Sequence, residues 1–365
     1  MRVAFITDTF HPMVDGITKA TTALGEGLRE EGNEVRYWAC TTRKGAEYPG
    51  ATYYRGIPFY SYPEYGINLF ARGFEESLMG FKPDVVHVHS PGGLGLQAVH
   101  IAKRKDIPCV FTYHTNLLGQ MHYLPLHGIM GGAYKIAIMK AIGHFSGKSS
   151  ATITPSEHGK EMLLEMGIGS EIIPNAVDTS RFRKKGGSGF LREKVGTENI
   201  VLVAGRIIKE KNLDSVLGAA AQMGDEAAFA FVGSGPYENS LRKKAGSMGL
   251  LGKNVFFLGR VGDAELVECY SGASLLFFPS TYDTFGLVCV EAMLCGLPVV
   301  APEGSAQAGI EGIVEYAPGK EVESIRAALR EKKGVPEGIV EGIRKRFGKR
   351  QVAKDHVEAY RKIMR

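Results

Sequence analysis

The sequence predicts two α/β domains, each a Rossmann-like doubly wound parallel sheet, facing one another across a cleft. Three observations carry this reading. Short β-rich apolar runs alternate with helical patterns along the whole chain. The alternation pauses at a basic, Gly-Ser-rich stretch from Lys184 to Gly189 and then restarts. The chain's 365 residues exceed what a single core usually supports and suit two domains. The expected boundaries are 1–185 and 186–345, followed by a helix over 346–365.

In the first half, RVAFIT, EVRYWAC, DVVHVHS, PCVFTYH and SATITPS read as strands, with EIIPNAV closing the set. The helix ITKATTALGEGLREEG separates the first two. The second half repeats the pattern with NIVLVAGRI, AAFAFVG, NVFFLG, SLLFFPS, LPVVAP and IVEYAP. Near the end, Val352, His356, Ala359, Tyr360 and Ile363 share one helical face, which suits packing back toward the first domain.

Composition narrows the class. Hydrophobic residues at 44% and charged residues at 23% match soluble globular chains and exclude disordered and fibrous classes. The five cysteines form no CxxC pair and sit in apolar runs, which predicts reduced core thiols and a cytoplasmic setting. MRVAFITDTF reads as a first strand and not as a signal peptide, and no run approaches the length of a membrane span. The net charge of +5 is too mild to require a nucleic-acid partner.

Ligands of open α/β sheets bind beyond the carboxyl ends of the strands, so those ends are read for chemistry. After the first strand, Gly16 either lets a ligand approach the backbone or only serves loop geometry. In VLVAGRIIKEKN, Arg206 and Lys211 precede a helix that Asn212 or Asp214 is suited to cap. Two cations there suit a diphosphate, and a solvated basic loop is the plainer reading. Gly233 and Gly235 lie in a GSGP turn that lacks the third glycine of the dinucleotide fingerprint.

In PSTYDTFGLVCVEAMLCGLPVVAP, Asp283 or Thr284 is suited to cap a helix. Glu291 lies two turns into that helix among apolar neighbours, where burial requires a partner. A ribose diol, a backbone N–H pair or an arginine each fits. His114 ends a strand and is either structural or functional. His87 and His89 alternate on a strand without a third ligand, which argues against a metal, so no metal site is assigned.

Taken together, TDTFHPMVDG, KPDVVHVHSP, TYHTN, TPSEHGKEML, IPNAVDTSRF, AGRIIKEKN, FVGSGP, FLGRV and the Pro279 stretch resemble, in order, the retaining glycosyltransferases of family 4. The nearest in character are members that glycosylate lipids or make mannosides. The resemblance implies the GT-B fold, with the acceptor bound by domain 1–185 and a nucleoside-diphosphate sugar by domain 186–345. It implies that Arg206 and Lys211 clamp the diphosphate, with Gly16 and Gly233 close to the donor. Glu291 takes the second acidic place of the family's E-x7-E motif, on the ribose, and Asp283 the first, by the transferred sugar. The Phe285, Gly286 and Leu287 amides face sugar and phosphate, His114 the transferred sugar, and Arg260 with Val261 the base. Three departures stand out: Asp283 in place of Glu, Asp15 before Gly16, and a short SAQAGIEGIVEY after Gly304.

The implied activity is metal-independent transfer of a hexose, UDP-glucose-like or GDP-mannose-like in origin, to a hydroxyl on a sugar or lipid. The nucleotide-sugar is a substrate and no cofactor is required. GGAYKIAIMKAIGHFSGKSS, with Lys135, Lys140 and Lys148, suits either a core-facing helix with solvated lysines or contact with an anionic membrane at its inner face. The competing classes are a nicotinamide-dependent oxidoreductase, which needs a better glycine fingerprint, and a non-catalytic sugar-nucleotide-binding protein, which leaves the clamped cations unexplained.

Overall fold

The computed structural model of the chain describes residues 1–59, 62–116, 129–186 and 189–365, so Gly187 and Ser188 of the predicted linker lie outside the described residues. The chain divides into two units, Met1–Val177 with Phe347–Arg365, and Asp178–Arg346.

The first unit is built on seven parallel strands: β1 (Arg2–Thr7), β2 (Glu34–Thr41), β3 (Ala51–Arg55), β6 (Val85–Val88), β7 (Cys109–Thr112), β8 (Ala151–Thr154) and β9 (Glu171–Ile172). A separate antiparallel hairpin pairs β4 (Ile57–Phe59) with β5 (Tyr62–Ile67). The sheet order is β3-β2-β1-β6-β7-β8-β9. Alternation along β1 sends Val3 and Phe5 to one face, with Leu24, Leu28, Val352 and Tyr360. It sends Ala4 and Ile6 to the other, with Leu78, Leu94 and Ile142.

The helix Lys349–Ile363 belongs to this unit. Lys349 N donates to Val177 O and Val177 N to Phe347 O. Gly27 permits close approach, since a Cβ there would stand 2.2 Å from Lys349 O. Lys349 also meets Glu26 at 3.0 Å and Glu30 at 2.9 Å on the helix Gly16–Glu30.

The second unit holds six parallel strands, β10 (Ile200–Ala204), β11 (Ala228–Val232), β12 (Val255–Gly259), β13 (Leu275–Phe277), β14 (Val299–Pro302) and β15 (Val314–Tyr316). Their order is β12-β11-β10-β13-β14-β15. Each expected strand of this half is present. In the first half the reading missed β3 and the hairpin, and only Glu171–Ile172 of EIIPNAV is strand. Both sheets reverse direction beside their first strand, between β1 and β6 and between β10 and β13. That topological switch point is where open sheets hold ligands.

Candidate active site

At the switch point of the second unit, glycines stack the loops tightly. Gly205 N donates to Val232 O, Gly233 N to Gly259 O and Ile207 N to Ser234 O. A Cβ on Gly233, whose φ is +137°, would stand 1.9 Å from Gly205 O, and one on Gly235 would stand 2.2 Å from Ile207 O. Loop-on-loop packing therefore accounts for both glycines of GSGP.

Arg206 leaves β10 half-buried, and a single 3₁₀ turn, Lys209–Lys211, follows. Lys211 Nζ lies 3.2 Å from Asp283 Oδ1 and 5.0 Å from the centre of the Phe278 ring. Asp283 Oδ2 accepts from Ser280 Oγ at 2.6 Å, and that hydroxyl accepts from Tyr282 N at 3.2 Å. Gly205, Arg206, Lys211, Phe278 and Ser280 line one depression. The loops after β10 and β13 thus bring together a cation, a carboxylate and a buried hydroxyl with fixed orientations.

The expected capping by Asp283 or Thr284 is not what forms. The helix Leu287–Leu294 starts after Gly286, at φ 81° and ψ 58°, with no side-chain cap and no acidic residue in its first turn. Asp283 is instead drawn to Lys211 and Ser280. The helix consequently presents uncapped backbone N–H groups beside that pair, an arrangement suited to anionic or polar ligand atoms. Neither Asn212 nor Asp214 caps the helix Leu213–Met223 through its side chain. Asp214 accepts from Lys244 at 2.6 Å and from Tyr237 at 2.7 Å.

Because that helix begins at Leu287, Glu291 sits one turn in, not two. It is 2% exposed and accepts from Tyr270 Oη at 2.9 Å. Burial first, and the Glu291 carboxylate second, push the Tyr270 phenol well above its usual pKa. This tyrosine was invisible in the sequence because it comes from another helix, Asp263–Gly272. Glu210, also unremarked, stands near the clamp; burial raises its carboxyl to about 7 against the pull of Arg206 and Lys209.

Phe285 and Gly286 are buried and Leu287 half-buried at the start of the same helix. Arg260 and Val261 follow β12, two strands from β10 in the sheet order, roughly 10 Å away across the sheet.

The first unit gathers its own polar cluster. His114, after β7, has Nε2 3.1 Å from His89 Nδ1, and burial lowers its pKa to about 3. His87 is spanned by Tyr360 Oη at 2.7 Å and Thr112 Oγ1 at 2.6 Å, so HVHS belongs to a hydrogen-bonded network. Among the described residues no group of three or more His, Cys, Asp or Glu is arranged to hold a metal.

Gly16 is exposed as the first residue of its helix, but Asp15 caps that helix through Thr18 N at 2.8 Å. Asp15 Oδ2 also accepts from Thr9 at 2.9 Å and Tyr65 at 3.1 Å. A carboxylate therefore fronts this helix end. Asp8 of the TDTFHP run caps the helix Gly93–Arg104 through Leu94 N at 3.1 Å and is bonded by Ser90 at 2.9 Å. In the helix Ile129–Lys148, Ile142 and Phe145 are buried, whereas Lys135, Ile136 and Lys140 are exposed. Among the described residues no helix is long and apolar enough to cross a membrane.

Residues 14–181 match the family Glycosyltransferase Family 4, and residues 190–315 match Glycosyl transferases group 1. The alpha-monoglucosyldiacylglycerol synthase of Streptococcus pneumoniae is 28% identical over 319 residues, 82% of this chain and 71% of that protein. The GDP-mannose-dependent alpha-mannosyltransferase of Mycobacterium tuberculosis is 29% identical over 316 residues, 83% of this chain and 79% of that protein. In fold, the chain resembles sucrose-phosphate synthase from Thermosynechococcus elongatus, with a TM-score of 0.78 at 20% identity over 99% of this chain and 98% of that one. It also resembles Anabaena Alr3699/HepE in complex with UDP and glucose, with a TM-score of 0.77 at 19% identity over 99% of this chain and 100% of that one.

Proposed function

Since the chain belongs to the family 4, group 1 glycosyltransferases and has their GT-B fold of two Rossmann-like domains, we propose that it moves a hexose from a nucleoside-diphosphate sugar to an acceptor hydroxyl with retention at the anomeric carbon. The observation that carries this is the Lys211–Asp283–Ser280 constellation beside the uncapped start of the helix Leu287–Leu294. Lys211 and Arg206 take the diphosphate, whose negative charge grows as the bond from sugar C1 to phosphate oxygen breaks, and the Phe285 to Leu287 amides face sugar and phosphate. The acceptor oxygen forms the new bond to C1, and its proton passes to the departing phosphate oxygen. Asp283 then holds a sugar hydroxyl, Glu291 the ribose, and Arg260 with Val261 the base. The first unit serves the acceptor, with His114 as its candidate contact.

UDP-glucose and GDP-mannose are the donors to try first, because relatives are named for a monoglucosyldiacylglycerol and for GDP-mannose. Exposed Ile136 between exposed Lys135 and Lys140 supports an acceptor presented at an anionic lipid surface.

The test is a thermal-shift screen of UDP-, GDP- and ADP-sugars, followed by assay of nucleoside diphosphate released with a diacylglycerol or glycan acceptor. One nucleotide-sugar should raise the midpoint and be consumed. A shift with nicotinamide cofactors and none with nucleotide-sugars would overturn the reading in favour of an oxidoreductase.

A further inference from the structure

The turn after β14 carries a side chain that the fold leaves unsatisfied. Gln307 is 0% exposed, yet neither its amide nitrogen nor its amide oxygen has a hydrogen-bond partner among the described residues. Its backbone, by contrast, is engaged, since Gln307 O accepts from Ile310 N at 2.9 Å. The turn is otherwise tied by Ser305, whose Oγ donates to Pro302 O at 2.7 Å and whose carbonyl accepts from Ala308 N. Ala306 and Ile310 are buried on either side. The amide is held there at a cost, because a buried polar group without a partner destabilises the fold.

The amide lies against the start of the helix Leu287–Leu294. A Cβ built on Gly286 would stand 2.6 Å from Gln307 Cγ, 2.8 Å from Nε2 and 3.1 Å from Cδ. Only the missing side chain at Gly286 lets the amide occupy that place. The uncapped helix end and the unsatisfied amide therefore share one spot.

The chemistry of the amide restricts what satisfies it. Nε2 donates and Oε1 accepts, so a full match needs a group that does both. A phosphate at neutral pH offers acceptors and leaves Oε1 without a donor. Sugar hydroxyls supply both. Glu291, the candidate for the ribose, lies a full turn further along the helix, so the hydroxyls at Gly286 are those of the transferred hexose. We infer that Gln307 is a specificity-determining residue for the donor sugar: its amide turns past Gly286 to exchange hydrogen bonds with hexose hydroxyls at the start of the helix. This inference rests on the glycosyltransferase reading above.

The test compares wild type with Gln307→Met, which keeps length and removes both polar atoms. UDP-glucose and GDP-mannose are titrated against free UDP and GDP, and the unliganded melting midpoint is recorded. The Met variant should bind the preferred nucleotide-sugar roughly tenfold or more weakly, because the hydroxyls lose a partner built for them. Its affinity for the free diphosphate should stay within about twofold, and its unliganded midpoint should rise by about 2–4 °C as the unsatisfied amide disappears. Equal losses for sugar and free diphosphate, or no loss for either, overturn the assignment.

In wild-type protein, the Gln307 side-chain amide resonances should move with the nucleotide-sugar and not with the free diphosphate. That measurement decides the question if the variant does not fold. A wild type that binds none of the nucleotide-sugars overturns the glycosyltransferase reading and the inference with it. A wild type that binds them while the variant is unaffected overturns the inference alone.

Discussion

Lys211 Nζ and Asp283 Oδ1 stand 3.2 Å apart, so the candidate phosphate cation and the candidate sugar carboxylate are partners in one ion pair. The side chains are 12% and 22% exposed, and Phe278 lies under the ammonium. The cation is therefore oriented before any ligand arrives. Preorganisation of this kind is what stabilises charge that develops in a transition state.

Lys211→Ala should lower turnover by roughly 10²–10³ while the fold persists. Because the two side chains act as one unit, the Lys211→Ala/Asp283→Ala double variant should be scarcely slower than Lys211→Ala alone. Strictly additive losses in steady-state rates would show that the pair does not function together.

Tyr270 and Glu291 make a second pair, wholly buried. Tyr270→Phe removes the donor and leaves the carboxyl without it, which should cost about 1–3 kcal/mol in denaturant unfolding of the second unit. Glu291→Gln keeps the shape and should weaken binding of the free nucleoside diphosphate about tenfold, read by calorimetry. Unchanged affinity in a folded Glu291→Gln protein would leave the residue a purely structural partner of Tyr270.

Acid should act on the first unit. His87, His89, His114 and His356 are buried, and burial holds each below its usual pKa, His114 at about 3 and His356 at about 4. Unfolded, they titrate near 6.5. Between these values the unfolded chain binds protons that the folded one refuses. The stability is thus complete above about pH 6.5 and is lost as the pH falls toward 4, at up to about 1.4 kcal/mol per pH unit for each histidine. All 10 histidines fall within the residues of the first unit. Hydrogen exchange at pH 7 and pH 5 should show protection lost there first, and equal loss in both units would contradict the description of these groups as neutral and buried.

Gly233→Ala should destabilise the second unit by more than about 2 kcal/mol, since the new Cβ meets Gly205 O and the φ of +137° is itself strained for alanine. A loss below about 0.5 kcal/mol in urea unfolding would show that the two loops separate readily.

Much of this was legible in the sequence because parallel strands buried on both faces write continuous apolar runs, as IVLVA and AFAFV do. β3 was missed because ATYYR lies at the sheet's edge, half-exposed, and writes no such run. The hairpin was missed because Pro58 and Pro63 demote its strands. At the site, the identities of Lys211, Asp283 and Glu291 could be singled out by position, but their partners could not. Asp283 looked like a local cap because capping is a short-range rule. What displaced that rule was a lysine 72 positions earlier, brought in by the pairing of β10 with β13. Tyr270 and Gln307 carry no local signal, since each matters only through what a neighbouring element places against it.

The crossing of the chain between units at Val177 and again at Phe347 bears on the order in which the protein is made. The second unit is complete in one uninterrupted stretch, whereas the first waits for its final helix. Until Tyr360 emerges from the ribosome, His87 Nδ1 lacks the phenol that meets it at 2.7 Å, and the face holding Val3 and Phe5 lacks Val352. Synthesis therefore finishes the second unit while the first sheet is still open on one side. A stalled or prematurely terminated chain would be marked by that bare face, which is the kind of surface that chaperones and proteases bind.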